Sequence, residues 1–323
     1  MNWEKIDWTA LERLRRAFLE GTAGQRDYWQ SESDLASYDQ TFAQRIGWKW
    51  DYVLEELKRR GWAPPRGALL DWGCGSGIAG RAFVDHFGVC SATSLHLLDR
   101  SPLAINYAAQ RARDKFPSLP VATTRPEQPA VLLLSHVLTE LKPEQTEELL
   151  RLVGQASATI WVEPGTYEAS LTLIAVRERL RGDFHLVAPC PHRERCGILA
   201  AGNERHWCHH FAPPPPEVFT DSNWTRFAQL VGIDLRSLPM SFLVLDRRAA
   251  PVLPAGAIRV IGRPRLYKAH ALLLSCAAAG VRDLRLNKRT LPKEFRRLKK
   301  GQAATLQVCQ TDGDDLLEIQ ASL

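Results

Sequence analysis

Leu69-Leu70-Asp71-Trp72-Gly73-Cys74-Gly75-Ser76-Gly77-Ile78-Ala79-Gly80 is the stretch that decides the fold. An apolar run, Ala68 to Trp72, enters a cluster of glycines, and Ile78 to Phe87 then reads as a helix. A buried strand that turns sharply into a helix brings backbone N–H groups to the strand's end. Without Cβ atoms there, a ligand can approach the backbone closely. Gly75, Gly77 and Gly80 satisfy the dinucleotide spacing G-x-G-x-x-G, a pattern of low specificity by itself. Two features favour another ligand. Asp71 precedes the glycines by two positions, and they alternate as Gly73-x-Gly75-x-Gly77.

The flanking sequence repeats the alternation of strand and helix. Ser94 to Asp99, Ala130 to Ser135 and Ser157 to Glu163 read as further strands, with helices from Pro102 to Phe116 and from Pro143 to Val153. Strands apolar on both faces, separated by helices, predict a parallel sheet covered by helices. Before the sheet, Leu11, Leu14, Phe18 and Leu19, and later Trp48, Tyr52, Val53, Leu54 and Leu57, recur at helical spacing. Phe242 to Asp246 reads as a late strand. Short β-like runs follow Pro251 and Pro254, at Ala257 to Ile261, Ala271 to Ser275 and Thr305 to Val308. The expected organisation is an N-terminal helical region over 1–62, an α/β sheet domain over 63–250 and a small basic β domain over 251–323. A cysteine-rich, metal-binding insertion over 186–216 interrupts the sheet domain.

Asp-x-Gly-x-Gly-x-Gly is the form seen in class I methyltransferases, whose sheet is Rossmann-like. S-adenosylmethionine lacks a pyrophosphate but carries an amino group and a sulfonium, so an acid near the loop is favourable. Asp71, Gly73, Gly75 and Gly77 are therefore expected at the cofactor. Asp99, ending the second strand, is placed to accept both ribose hydroxyls, a role it would fill equally for NAD. Amino-group methyltransferases of this fold often carry Asn/Asp-Pro-Pro-aromatic after the fourth strand. Here the chain reads Leu134-Ser135-His136-Val137-Leu138-Thr139-Glu140-Leu141, which offers no such grip on an amine. His136 is expected to line the cofactor pocket or to act as a base, and Glu163 to orient a substrate or cap its loop. Pro189-Cys190 matches the cytosine-C5 nucleophile only superficially, because the partner Thr-Cys motif is absent. No residue receives a catalytic assignment.

Seven cysteines are present, and Cys190, Cys196 and Cys208 crowd one segment with spacing C-x5-C-x11-C. Thiolates suit zinc or an iron–sulfur cluster. Cys276 is the best fourth ligand. Cys74, Cys90 and Cys309 read as packed thiols. The start has no apolar signal region and no Arg-rich transit segment, and no apolar run approaches the roughly 20 residues of a bilayer span. A cytoplasmic protein without a membrane partner is expected. Net charge is +6, yet Arg259 to Lys300 holds 13 Lys and Arg against Asp283 and Glu294. Such clustering points either to a polyanion-binding face or to a solvated basic surface.

Asp-x-Gly-x-Gly-x-Gly, Val162-Glu-Pro-Gly, Ala188-Pro-Cys-Pro-His-x3-Cys, Trp207-Cys-His and Gly262-Arg-Pro-Arg together resemble the Rsm22 family, over about residues 40–300. The resemblance implies a methyltransferase-like fold and association with the small ribosomal subunit and its 16S rRNA. It also implies a [4Fe–4S] cluster on Cys190, Cys196, Cys208 and Cys276. Lack of a mitochondrial presequence makes the chain look like a bacterial member. Zinc in place of the cluster, a catalytically inactive assembly scaffold, and a methyltransferase acting on something other than RNA are the alternatives.

Overall fold

The computed structural model describes residues 2–20, 28–301 and 305–322. Three helices open the chain: α1 (Trp8–Leu19), α2 (Glu32–Asp39) and α3 (Phe42–Arg59). Then come β1 (Gly67–Trp72), α4 (Ile78–Phe87), β2 (Ala92–Leu98), α5 (Pro102–Lys115), β3 (Val121–Ala122), β4 (Val131–Ser135), α6 (Pro143–Val153) and β5 (Ala158–Pro164). Next are α7 (Tyr167–Leu180), β6 (His185–Ala188), β7 (His210–Ala212), α8 (Glu217–Thr220), α9 (Ser222–Val231) and β8 (Leu238–Asp246). The remainder is β9 (Ala257–Val260), β10 (Arg265–Leu266), β11 (His270–Ala277), β12 (Gly280–Asn287), α10 (Pro292–Lys299), β13 (Leu306–Asp312) and β14 (Asp315–Ser322).

Contacts divide the chain into two compact units. The first comprises Met1–Glu56, Ala63–Glu163 and Ala212–Met240. Its strands lie in the order β3-β2-β1-β4-β5, each pairing parallel. β4 and β5 are buried along nearly their whole length, as parallel strands covered on both faces must be. The order reverses between β1 and β4, and ligands of open α/β sheets bind beyond the strand ends at such a switch point. Asp7, Ser31 and Thr166 cap α1, α2 and α7 with side-chain oxygens. Leu11, Phe42, Trp224 and Phe227 share one core beneath α1, α3 and α9.

The second unit comprises Leu57–Trp62, Pro164–Phe211 and Ser241–Leu323. In it β6 pairs antiparallel with β8, and a separate sheet runs β10-β11-β12-β14-β13-β9. Ile258, Val260, Leu273, Leu284, Leu286 and Phe295 pack as the core of that sheet and α10. The cysteine segment and the basic C-terminal sheet thus belong to one unit. Gly197 makes their close approach possible: a Cβ there would stand 2.7 Å from the Val281 nitrogen.

Candidate functional site

Beyond β1 the chain turns through Gly73, Gly75 and Gly77, with φ of 69°, 52° and 81°. A side chain in this left-handed region costs about 1–2 kcal/mol. A Cβ on Gly73 would also lie 2.8 Å from Val137 Cγ1, so this glycine admits the loop that follows β4. At Gly75 no atom lies within 4 Å of the same point, leaving open space.

Asp71 is fully buried, and its Oδ2 accepts a hydrogen bond from the Gly80 N–H at 2.8 Å. Burial pushes its carboxyl up to about 7, against the pull of the Gly80 N–H and of Arg81. Asp71 therefore ties the first turn of α4 to the end of β1, and among the described residues its Oδ1 has no hydrogen-bond partner. Asp99 stands just past β2. Its Oδ2 accepts from the Gly75 N–H at 2.9 Å and its Oδ1 from the Ser101 N–H at 3.0 Å. Loop and acid form one hydrogen-bonded assembly.

His136 follows β4 with a φ of 57°, the one positive value at a non-glycine among the described residues. Its N–H donates to the Val162 carbonyl at 2.9 Å. Glu163, fully buried in β5, fixes the next residues: its Oε1 accepts from the Val137 and Leu138 N–H groups at 3.1 and 3.2 Å and from Trp161 Nε1 at 2.7 Å. Burial raises its carboxyl to about 7 despite these donors and Lys49. Sequence reasoning missed Lys49. It is 1% exposed, and its Nζ lies 3.5 Å from His136 Nε2.

In the second unit Cys190, Cys196, Cys208 and Cys276 all line one small cavity. Arg177, His192, Arg259, Ile198 and Ile261 complete much of its wall. Burial raises the thiols of Cys196, Cys208 and Cys276, and the neighbouring sulfurs raise them further. Arg177 and Arg259 pull Cys276 the other way. Arg177, 2% exposed on α7, organises the loop. Its Nε donates to Cys190 Sγ at 3.2 Å, and its Nη2 to the His192 and Glu194 carbonyls at 3.2 and 2.8 Å. The neighbouring Glu178 pairs with Arg177 and accepts from the Cys196 N–H at 3.0 Å. His192 Nε2 lies 3.3 Å from Cys276 Sγ. Among the described residues no group of three or more His, Cys, Asp or Glu side chains is arranged to hold a single metal ion. Tetrahedral zinc at about 2.3 Å from each sulfur would bring the sulfurs to roughly 3.8 Å of one another.

The basic stretch divides by environment. Arg259 is buried against His210, 3.4 Å from its Nδ1, and belongs to the cavity rather than the surface. Arg265, Arg282 and Arg285 pair with Asp283, Asp314 and Asp315. Lys288, Arg289, Lys293, Arg296, Arg297, Lys299 and Lys300 are exposed on α10 and at its two ends, while its Phe295 and Leu298 face the core. Among the described residues no helix is long and apolar enough to cross a membrane.

A parallel β3-β2-β1-β4-β5 sheet with a glycine loop at β1 and an acid at the end of β2 defines a Rossmann-like α/β protein. The chain belongs to the family described as "Mitochondrial small ribosomal subunit Rsm22", whose model matches residues 52–305. Comparison with curated proteins gave no match. Similar solved structures include the magnesium protoporphyrin IX methyltransferase of Synechocystis PCC 6803 with bound SAM. It is 12% identical with a TM-score of 0.40, covering 74% of this chain and 97% of that one. The plantazolicin methyltransferase BpumL in complex with SAH is 15% identical with a TM-score of 0.38, covering 75% and 98%. An rRNA methylase from Escherichia coli is 15% identical with a TM-score of 0.33, covering 57% and 71%. Likenesses this distant carry no argument about chemistry.

Proposed function

We propose that this chain is an S-adenosylmethionine-binding, methyltransferase-like factor of the cytoplasm that associates with the small ribosomal subunit and 16S rRNA. In this reading its second unit holds a [4Fe–4S] cluster on Cys190, Cys196, Cys208 and Cys276. The carrying observation is the wall of the cysteine cavity, where four thiols from two distant segments meet. A polynuclear cluster interposes iron and sulfide between thiolates, and four cysteines on one cavity wall supply its ligand number and type. Cluster loading requires deprotonated thiols, and the guanidinium groups of Arg177 and Arg259 favour that state. Held in both segments of one unit, the cluster would fix the cysteine loop to the C-terminal sheet. The exposed cations of α10 supply the surface for a phosphate backbone.

Asp71, Gly73, Gly75, Gly77, Asp99 and His136 are the residues that would hold the cofactor in this reading. The cofactor, when bound, supplies an electrophilic methyl group. A second reading, a non-catalytic assembly scaffold, is favoured by the loop after β4: Glu163 consumes its N–H groups, and no carbonyl–aromatic pair stands ready for an amine. Pre-small-subunit particles incubated with the chain and methyl-labelled cofactor separate the two. Label in 16S rRNA identifies an enzyme acting on RNA. Cofactor binding without label identifies a scaffold, and label in protein or a small molecule points to a non-RNA substrate. Anaerobically purified protein should be brown, with broad absorbance near ~400 nm. Colourless protein with one zinc per chain would replace the cluster with a structural ion.

A further inference from the structure

The first unit holds a knot of positive charge that nothing above employs. Arg45 and Lys49 stand one turn apart on α3, and Arg15 of α1 is close enough to act on Arg45. Burial, with Arg15, holds Arg45 down to about 10. Burial and then Arg45 hold Lys49 well below its usual range, and only Glu163 opposes them. The His136 ring is depressed by burial, then by Lys49 and Arg45. Glu163 is a poor counter-ion: its Oε1 already accepts three N–H groups, and burial favours its protonated form. Among the described residues neither Arg45 nor Lys49 enters an ion pair. Among the described residues the buried Arg45 Nε finds no hydrogen-bond partner.

Buried cations without a counter-ion are costly to a fold. Lys49 is buried where β4 ends at the switch point, 3.5 Å from His136, whose neighbour Val137 abuts Gly73, and the half-buried Arg45 stands one turn back on α3. We propose that Lys49 and Arg45, with the His136 ring, form an oxyanion site that takes a carboxylate or phosphate oxygen at the mouth of the glycine-loop pocket. Two sources share that chemistry: the amino-acid carboxylate of an adenosylmethionine-type cofactor, and a phosphate of a nucleotide substrate. The carboxylate source rests on the cofactor reading above; the phosphate source does not.

Isothermal titration of the full chain tests this with three probes: S-adenosylhomocysteine, its decarboxylated analogue, which keeps the amino group, and inorganic phosphate. Wild type is compared with Lys49→Met and Arg45→Gln, each checked for fold by circular dichroism. With the carboxylate as ligand, wild type binds S-adenosylhomocysteine about 10- to 100-fold more tightly than the analogue, as a charged hydrogen bond implies. Lys49→Met should erase most of that preference, and Arg45→Gln part of it. With phosphate as ligand, wild type binds the free ion and Lys49→Met does not. Phosphate binding without any S-adenosylhomocysteine binding would sink the cofactor reading and leave the oxyanion site standing. The proposal is overturned if folded variants bind all three probes as wild type does. It is equally overturned if wild type neither prefers the carboxylate probe nor binds phosphate.

Discussion

Glu163 joins stability to pH in a way that one substitution isolates. Its carboxyl rises from 4.5 to about 7, chiefly through burial. A group whose folded-state pKa is raised is favoured protonated by the fold. Its stabilising effect is full below the unfolded value of 4.5 and is lost as pH rises toward and past about 7. The shift corresponds to a penalty of about 1 kcal/mol at pH 5.5 and about 3 kcal/mol at pH 8. Because Glu163 is fully buried, no solvent screening discounts this. Glu163→Gln keeps an oxygen for Val137, Leu138 and Trp161 but cannot ionise. It should therefore be more stable than wild type by about those amounts at the two pH values. Asp71 titrates upward for the same reason, and the difference between variant and wild type removes its share. Glu163→Ala is the opposing control. It strands three buried N–H donors at about 1 kcal/mol or more each, so it should destabilise at pH 5.5, while at pH 8 the removed charge penalty offsets most of that loss. Urea unfolding of the full chain at pH 5.5 and pH 8 measures all of this. A Gln variant with the same pH profile as wild type would refute the assignment of the charge penalty to Glu163.

Gly73→Ala and Gly75→Ala both incur left-handed strain, but only the first meets Val137 at 2.8 Å. Thermal denaturation should place Gly73→Ala at least ~2 °C below Gly75→Ala. Arg177→Met preserves bulk but removes donors to Cys190 Sγ and to the His192 and Glu194 carbonyls. Competition with a chelator should show metal or cluster retention reduced roughly tenfold or more; equal retention would make Arg177 a packing residue only. Arg296→Glu with Arg297→Glu, both exposed on α10, should lower the salt-dependence slope of RNA binding by about 2. An unchanged slope would move the RNA surface elsewhere.

Much of the first unit was legible because its strands carry their own signal. β1, β4 and β5 are apolar runs buried on both faces, and α4 and α6 begin and end where periodicity places them. α7 was not foreseen, since Leu173, Ile174, Val176, Arg177 and Leu180 bury more than one face and leave no single apolar stripe. β12 was missed because Arg282 and Arg285 interrupt its apolar positions. At the cysteine site, close spacing identified Cys190, Cys196 and Cys208 and the family resemblance matched Cys276, and the structure brings all four to one cavity. The arginines that surround them were not legible. Arg259 counted toward the basic patch although it is buried, and nothing in sequence distinguishes a solvated arginine from one held against a thiol. Lys49 was hidden likewise, since a helical pattern records which apolar residues recur, not which cation is buried among them.

Inorganic analysis of anaerobically purified protein, wild type beside Cys276→Ala, tests the central claim most directly. The account predicts about four iron and four sulfide per wild-type chain, with both largely lost in the variant. Wild-type protein holding neither iron nor sulfide, with all four thiols open to alkylation on unfolding, would contradict it.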